Sequence, residues 1–186
     1  MGSNESKLNP QDMKELQKST KYNAEEIKDW YRGFVEDFPD GYLTIEQFKD
    51  IYQNFYPNGN ASAFADNTFR AFDHNKDGSI DFREFMTGLS MSSKGSYDEK
   101  MQWIFQLYDT NNNGLISKEE MGTIIQAIHQ MCKCDDEEDA ATRHVEKLYQ
   151  SADANGDGQL SYDEFVALAK SDPTIANVLT GDMAEY

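Results

Sequence analysis

Three stretches of twelve residues decide how this chain folds. They are Asp73-His-Asn-Lys-Asp-Gly-Ser-Ile-Asp-Phe-Arg-Glu84, Asp109-Thr-Asn-Asn-Asn-Gly-Leu-Ile-Ser-Lys-Glu-Glu120 and Asp153-Ala-Asn-Gly-Asp-Gly-Gln-Leu-Ser-Tyr-Asp-Glu164. They superimpose without a gap. Each opens on Asp, has Asp or Asn third and fifth, Gly sixth, an aliphatic residue eighth and Glu twelfth. Apolar residues at helical spacing flank each one. Phe64, Phe69 and Phe72 precede the first, and Phe85 and Leu89 follow it. Trp103, Ile104, Leu107 and Tyr108 precede the second, followed by Met121, Ile124, Ile125 and Ile128. Val145, Leu148 and Tyr149 lead into the third, which runs on to Phe165 and Leu168. The chain is therefore a repeat of helix, loop and helix.

An oxygen-rich loop with this spacing suits a hard cation. Calcium takes about six to eight oxygens, and a tight turn supplies them from alternate positions. This pattern is the EF-hand calcium loop. In the first stretch the expected ligands are Asp73, Asn75, Asp77, the Ser79 carbonyl, Asp81 and Glu84. In the second they are Asp109, Asn111, Asn113, the Leu115 carbonyl, Ser117 and Glu120, and in the third Asp153, Asn155, Asp157, the Gln159 carbonyl, Ser161 and Glu164. The twelfth-position Glu closes the shell with two oxygens. Ile80, Ile116 and Leu160 are expected in short strands that join paired loops. Magnesium is an expected occupant of some sites without calcium. At its ligand positions loop 73–84 has four carboxylates, loop 153–164 three and loop 109–120 only two. The carboxylate count ranks the first tightest and the middle one weakest.

A fourth loop lies upstream and is broken. In the same frame Glu36 is first, Phe38 third, Pro39 fourth, Gly41 sixth, Leu43 eighth and Gln47 twelfth. Phe38 has no ligand atom, Pro39 stiffens the turn, and Gln47 offers one neutral oxygen. Helical spacing survives on both sides, so this unit is expected to fold but not to bind. The expectation is an all-α protein of four hands in two pairs, each pair joined by a short two-stranded loop ribbon. Its segments are 1–22, 23–91, 97–170 and 171–186. Ser92 to Ser96 forms a short, flexible link. Ser96 with Glu99 and Asn23 with Glu26 read as capping boxes opening helices.

Composition limits the partners. The 186 residues include 34 acidic and 17 basic side chains, a net charge of -17. That sign opposes nucleic acid as a partner. Cys132 and Cys134 are the only cysteines, which excludes a disulfide framework and points to a reducing compartment. No apolar run is long enough for a membrane helix, and no signal peptide is expected at the start. Gly2 with Ser6 matches the N-myristoylation pattern. Residues 1–21 carry Lys7, Lys14, Lys18 and Lys21 against Glu5, Asp12 and Glu15, so this end is the least repelled by an anionic leaflet. One myristoyl chain anchors only marginally, which is what a reversible switch needs.

The acyl signal, the crippled first hand, Trp30-Tyr31-x-Gly33-Phe34, Phe38-Pro39-x-Gly41 and three good loops together resemble the neuronal calcium sensor family. Ser6-Lys7-Leu8, Ile80-Asp81-Phe82-Arg83-Glu84-Phe85 and Lys170-Ser171-Asp172-Pro173 look most like its visinin-like, hippocalcin and neurocalcin branch. Phe38 stands where the family usually has Cys. The resemblance implies a non-enzymatic calcium sensor, cytoplasmic and reversibly on the cytoplasmic face of membranes. It implies a groove at Trp30, Phe34, Phe48, Ile51, Tyr52, Phe55, Phe85 and Leu89 that takes an amphipathic helix of a cyclase, receptor kinase, channel or lipid kinase. Plain core packing is the alternative for each of these. A calcium buffer and a constitutive regulatory subunit are the competing functions.

Weaker signals complete the reading. Asp172-Pro-Thr-Ile-Ala-Asn-Val-Leu179 reads as a short helix capped by Asp172. His129, Cys132 and Cys134 have irregular spacing for a soft-metal site. No nucleophile, base and orienting group assemble by motif.

Overall fold

The computed structural model describes residues 8–132 and 140–171; Gly2, Cys134 and the segment 172–179 lie outside them. The chain enters through α1 (Pro10–Ser19), where Asn9 accepts from Gln11 N and Pro10 takes the first helical position. α2 (Ala24–Asp37), β1 (Tyr42–Thr44) and α3 (Ile45–Phe55) form the first hand, and α4 (Ser62–Phe72), β2 (Ser79–Asp81) and α5 (Phe82–Leu89) the second. A π-helical turn (Ser90–Lys94) leads to α6 (Tyr97–Tyr108), β3 (Ile116–Ser117) and α7 (Lys118–Cys132). α8 (Ala140–Ala152), β4 (Gln159–Leu160) and α9 (Tyr162–Ser171) close the fourth hand.

Each pair of hands is stitched by its two strands. β1 runs antiparallel to β2 with Leu43 opposite Ile80, and β3 to β4 with Ile116 opposite Leu160. All four of these aliphatic side chains are buried. Burial of each contributes roughly 1.5–3 kcal/mol relative to exposure, so the ribbons anchor the loops from beneath while leaving their oxygens at the surface. The expected capping boxes are both present, at Asn23/Glu26 and Ser96/Glu99.

One feature differs from expectation. Residues 92–94 are not a flexible link. They belong to the π turn, where Tyr22 Oη lies 2.9 Å from Ser93 Oγ, and Lys21 N donates to Ser90 Oγ at 2.9 Å. The Lys94 ammonium sits 4.1 Å from the Tyr22 ring centroid and bonds Glu26 Oε1 at 2.6 Å. Tertiary bonding overrides a Ser- and Gly-rich composition here. The two pairs also pack on each other. The Phe72 and Trp103 rings meet edge to face across the junction, and Asn60 N donates to Gln130 O at 2.8 Å.

Candidate metal centres

The three complete loops share one backbone path. Position four is left-handed in each, at Lys76, Asn112 and Gly156, and so is position six, at Gly78, Gly114 and Gly158. Glycine adopts that conformation without strain. The path turns backbone N–H groups inward onto the first-position carboxylate. Asp73 accepts from Asp77 N at 3.2 Å and Gly78 N at 3.0 Å. Asp109 accepts from Asn113 N at 3.0 Å and Gly114 N at 2.8 Å. Asp153 accepts from Gly156 N at 2.7 Å and Gly158 N at 2.9 Å. The first and second of these aspartates are buried. A buried carboxylate fixed by amides is a ligand whose orientation is already set.

The twelfth-position glutamates do a second job. Glu84 accepts from Asn75 N at 3.1 Å with one oxygen and from Asp81 N at 3.1 Å with the other. Glu164 similarly spans Ala154 N at 3.2 Å and Ser161 N at 2.9 Å. Glu120 is the most engaged. One oxygen takes both backbone and side-chain donors of Thr110 and Asn111, and the other takes the Ser117 N–H and hydroxyl. Burial raises the Glu120 pKa, but donors from Ser117, Thr110 and Asn111 outweigh it, and the net direction is downward. Glu164 is lowered by the Ser161 backbone and hydroxyl, and Asp77 by the Ser79 hydroxyl and N–H. All three therefore remain anions in any near-neutral medium.

The donor set fits calcium. Carboxylate, amide, hydroxyl and carbonyl oxygens are hard ligands, and each loop offers them at the spacing that ion uses. Among the described residues, no three His, Cys, Asp or Glu groups gather into a preformed centre of their own. The loops' oxygens come instead from a mixture of residue types. Of the proposed soft-metal set, Cys134 lies outside the described residues.

The first hand explains itself by contrast. Gly41 is left-handed at the sixth position, with φ of 84°. Pro39 at the fourth cannot be, because its ring fixes φ near -65°. Thr44 and Gln47 still form the capping box that opens α3, with Gln47 Oε1 accepting from Thr44 N at 2.9 Å. The ninth and twelfth positions thus keep their helix-starting role after losing the charge a cation needs.

The eight expected groove residues occupy three environments. Phe34 and Phe48 are core, Ile51, Tyr52, Phe85 and Leu89 are half-buried, and Trp30 and Phe55 are exposed, the latter at 76%. Trp30 and Phe34 both pack on Phe85, and Phe48 on Tyr52. Sequence reasoning missed three residues that matter locally: Thr110, which braces Glu120, and Arg83 and Lys21, which tie α1 to the hands. Only their position beside a ligand or a capped helix could have flagged them.

Three loops of this geometry, in paired hands, define an EF-hand calcium-binding protein. The family description that matches is an EF-hand domain pair, over residues 38–90 and 98–170. Neuronal calcium sensor 1 of Lymnaea stagnalis is 44% identical over 184 residues, covering 97% of this chain and 96% of that protein. Neuronal calcium sensor 1 of Aplysia californica shows the same identity and coverage. Human recoverin is 37% identical over 165 residues, 86% of this chain and 82% of its own. The chain belongs to the neuronal calcium sensor family.

Proposed function

We propose that this chain is a calcium sensor that takes up to three ions, in loops 73–84, 109–120 and 153–164, and acts at membranes through an acyl chain on Gly2. The observation that carries the reading is the shared backbone path of the three loops, with the first-position aspartate held by inward amides, against its interruption at Pro39. Calcium supplies a divalent positive charge that draws loop oxygens together. The chain's own residues do the rest. The fixed aspartates receive the ion, and the twelfth-position glutamates, which also start α5, α7 and α9, pass its presence to those helices.

The exposed Trp30 and Phe55 and the half-buried Ile51, Tyr52, Phe85 and Leu89 suit an amphipathic helix of a target protein, of cyclase, receptor kinase, channel or lipid kinase class. A protein so built works in the cytoplasm and returns to the cytoplasmic face of membranes. Among the described residues no helix is long and apolar enough to cross one.

Sedimentation of co-expressed, myristoylated protein with liposomes, with calcium and with chelator, beside Gly2→Ala, tests the reading. Pelleting that needs both calcium and Gly2 is expected. Pelleting in neither condition overturns the membrane role and leaves a buffer, which binds ions and barely opens. Magnesium in some loops without calcium is expected as a calorimetric heat that calcium displaces.

A further inference from the structure

Arg83 stands eleventh in loop 73–84, one residue before the glutamate that closes it. Its guanidinium reaches α1. It pairs with Glu15, and its second nitrogen lies 3.7 Å from Asp12 Oδ1. α1 otherwise contributes one fully buried side chain, Leu16, with Met13 partly covered, as is Leu8 just before the helix. Beyond the helix, Thr20 is buried, Lys21 N donates to Ser90 Oγ, and the Lys21 ammonium pairs with Glu99 at the head of α6. One end of this arm therefore rests on the exit helix of the second hand and the other on the junction between the pairs.

Glu84 is covalently next to Arg83. Here it spends one oxygen on Asn75 N and the other on Asp81 N. A glutamate that closes a calcium shell turns both oxygens to the ion. An ion that drew Glu84 inward would move the first turn of α5, and with it the anchor of the Arg83 guanidinium. Both ionic contacts to α1 depend on that anchor.

We infer that Arg83 is a positioning residue through which an ion in loop 73–84 and the docked α1 oppose each other. The inference rests on the reading of loop 73–84 as a calcium site. Coupling between two events is reciprocal, so loosening α1 tightens the loop for calcium. Exposed ion pairs are individually weak, and the side chains here are partly exposed, so the expected change is about two- to fivefold in affinity.

The test uses the full chain carrying Glu120→Gln and Glu164→Gln as the parent, so that calorimetry reads loop 73–84. Asp12→Asn with Glu15→Gln is added to it. Removing two negative charges would by simple attraction weaken calcium binding, whereas the coupling predicts binding tighter by about two- to fivefold. Arg83→Gln should tighten it as well, and combining all three changes should add nothing further. Amide exchange across residues 11–19 should be faster with calcium than without it in the parent, and faster without calcium in the variants than in the parent. Unchanged or weaker binding in the Asp12/Glu15 variant overturns the inference, as does α1 exchange indifferent to calcium. A parent with no calcium heat overturns the calcium reading of the loop, and the coupling with it.

Discussion

Glu120 is one of only two carboxylates at the ligand positions of its loop, and it holds more donors than either of its counterparts. An ion must compete with six bonds from Thr110, Asn111 and Ser117 before it can claim this side chain. Neutral Asn111 and Asn113 repay less of that competition than Asp77 does in loop 73–84. Loop 109–120 is therefore expected to fill last and loop 73–84 first. Calorimetric titration of Glu84→Gln, Glu120→Gln and Glu164→Gln separately checks the order. Loss of the tightest heat from Glu120→Gln would reverse it. Tyr52 gives a second residue-scale prediction. Burial pushes its phenol up to about 12 from an ordinary value of 10.0, against a hydrogen bond with Thr68. Between those values the folded chain holds a proton that the unfolded chain releases, so this group's contribution to stability falls as pH rises from about 10 to about 12. Burial also raises Tyr108 and Tyr149. Urea midpoints at pH 9 and 11 should show a steeper loss in the parent than in Tyr52→Phe. Equal losses would mean that the phenol ionises normally in the folded state.

At the scale of the element, what could be read from sequence was what local chemistry decides. The loops were legible because each ligand position has a fixed offset from the next. The caps were legible because Asn23 and Glu26 lie three residues apart and satisfy each other: the Asn23 side chain accepts from Glu25 N and Glu26 N, and the Glu26 carboxylate accepts from Asn23 N. Asn23→Ala should cost about 1 kcal/mol, measured as a drop in the denaturation midpoint in chelator. No drop would mean that the Lys94 contact to Glu26 holds the start of α2 alone. α1 escaped notice because a ten-residue helix with one buried side chain has almost no apolar period, although Asn9-Pro10 is a local start signal. The π turn escaped for the opposite reason. Its sequence is all loop, and its order comes from Lys21, Tyr22 and Glu26, about 70 residues away in the chain. The burial of the expected groove residues was not legible. The resemblance implied Trp30 and Phe34 on α2 and Phe48 and Phe55 on α3, and helical spacing alone cannot say which of these aromatics ends in the core.

The whole molecule holds its two pairs together at a place no motif marks. In Pro57-Asn58-Gly59-Asn60 the glycine reads as an ordinary turn residue, yet its backbone is not left-handed. Its necessity is tertiary. A methyl group on Gly59 would fall on the Met131 carbonyl oxygen at the end of α7, with the Gln130 carbonyl close behind. The last carbonyls of a helix need donors from outside it, and Asn60 N supplies one to Gln130 from the other pair. Gln53 sets the turn in place, donating to the Tyr56 and Gly59 carbonyls. This turn joins α3 to α4, the helices that leave the first hand and enter the second, so any change in their angle acts on α7 directly. Gly59→Ala should therefore part the pairs while leaving each pair's ribbon intact. The expected cost is about 1–3 kcal/mol, as for other overpacked contacts. Chelator-state unfolding should show a lower midpoint, with the Trp103 fluorescence at the junction changing before the helical signal is lost. A single transition at the parent's midpoint would mean that the contact between Phe72 and Trp103 suffices to join the pairs, and that the backbone bond from Asn60 adds nothing to it.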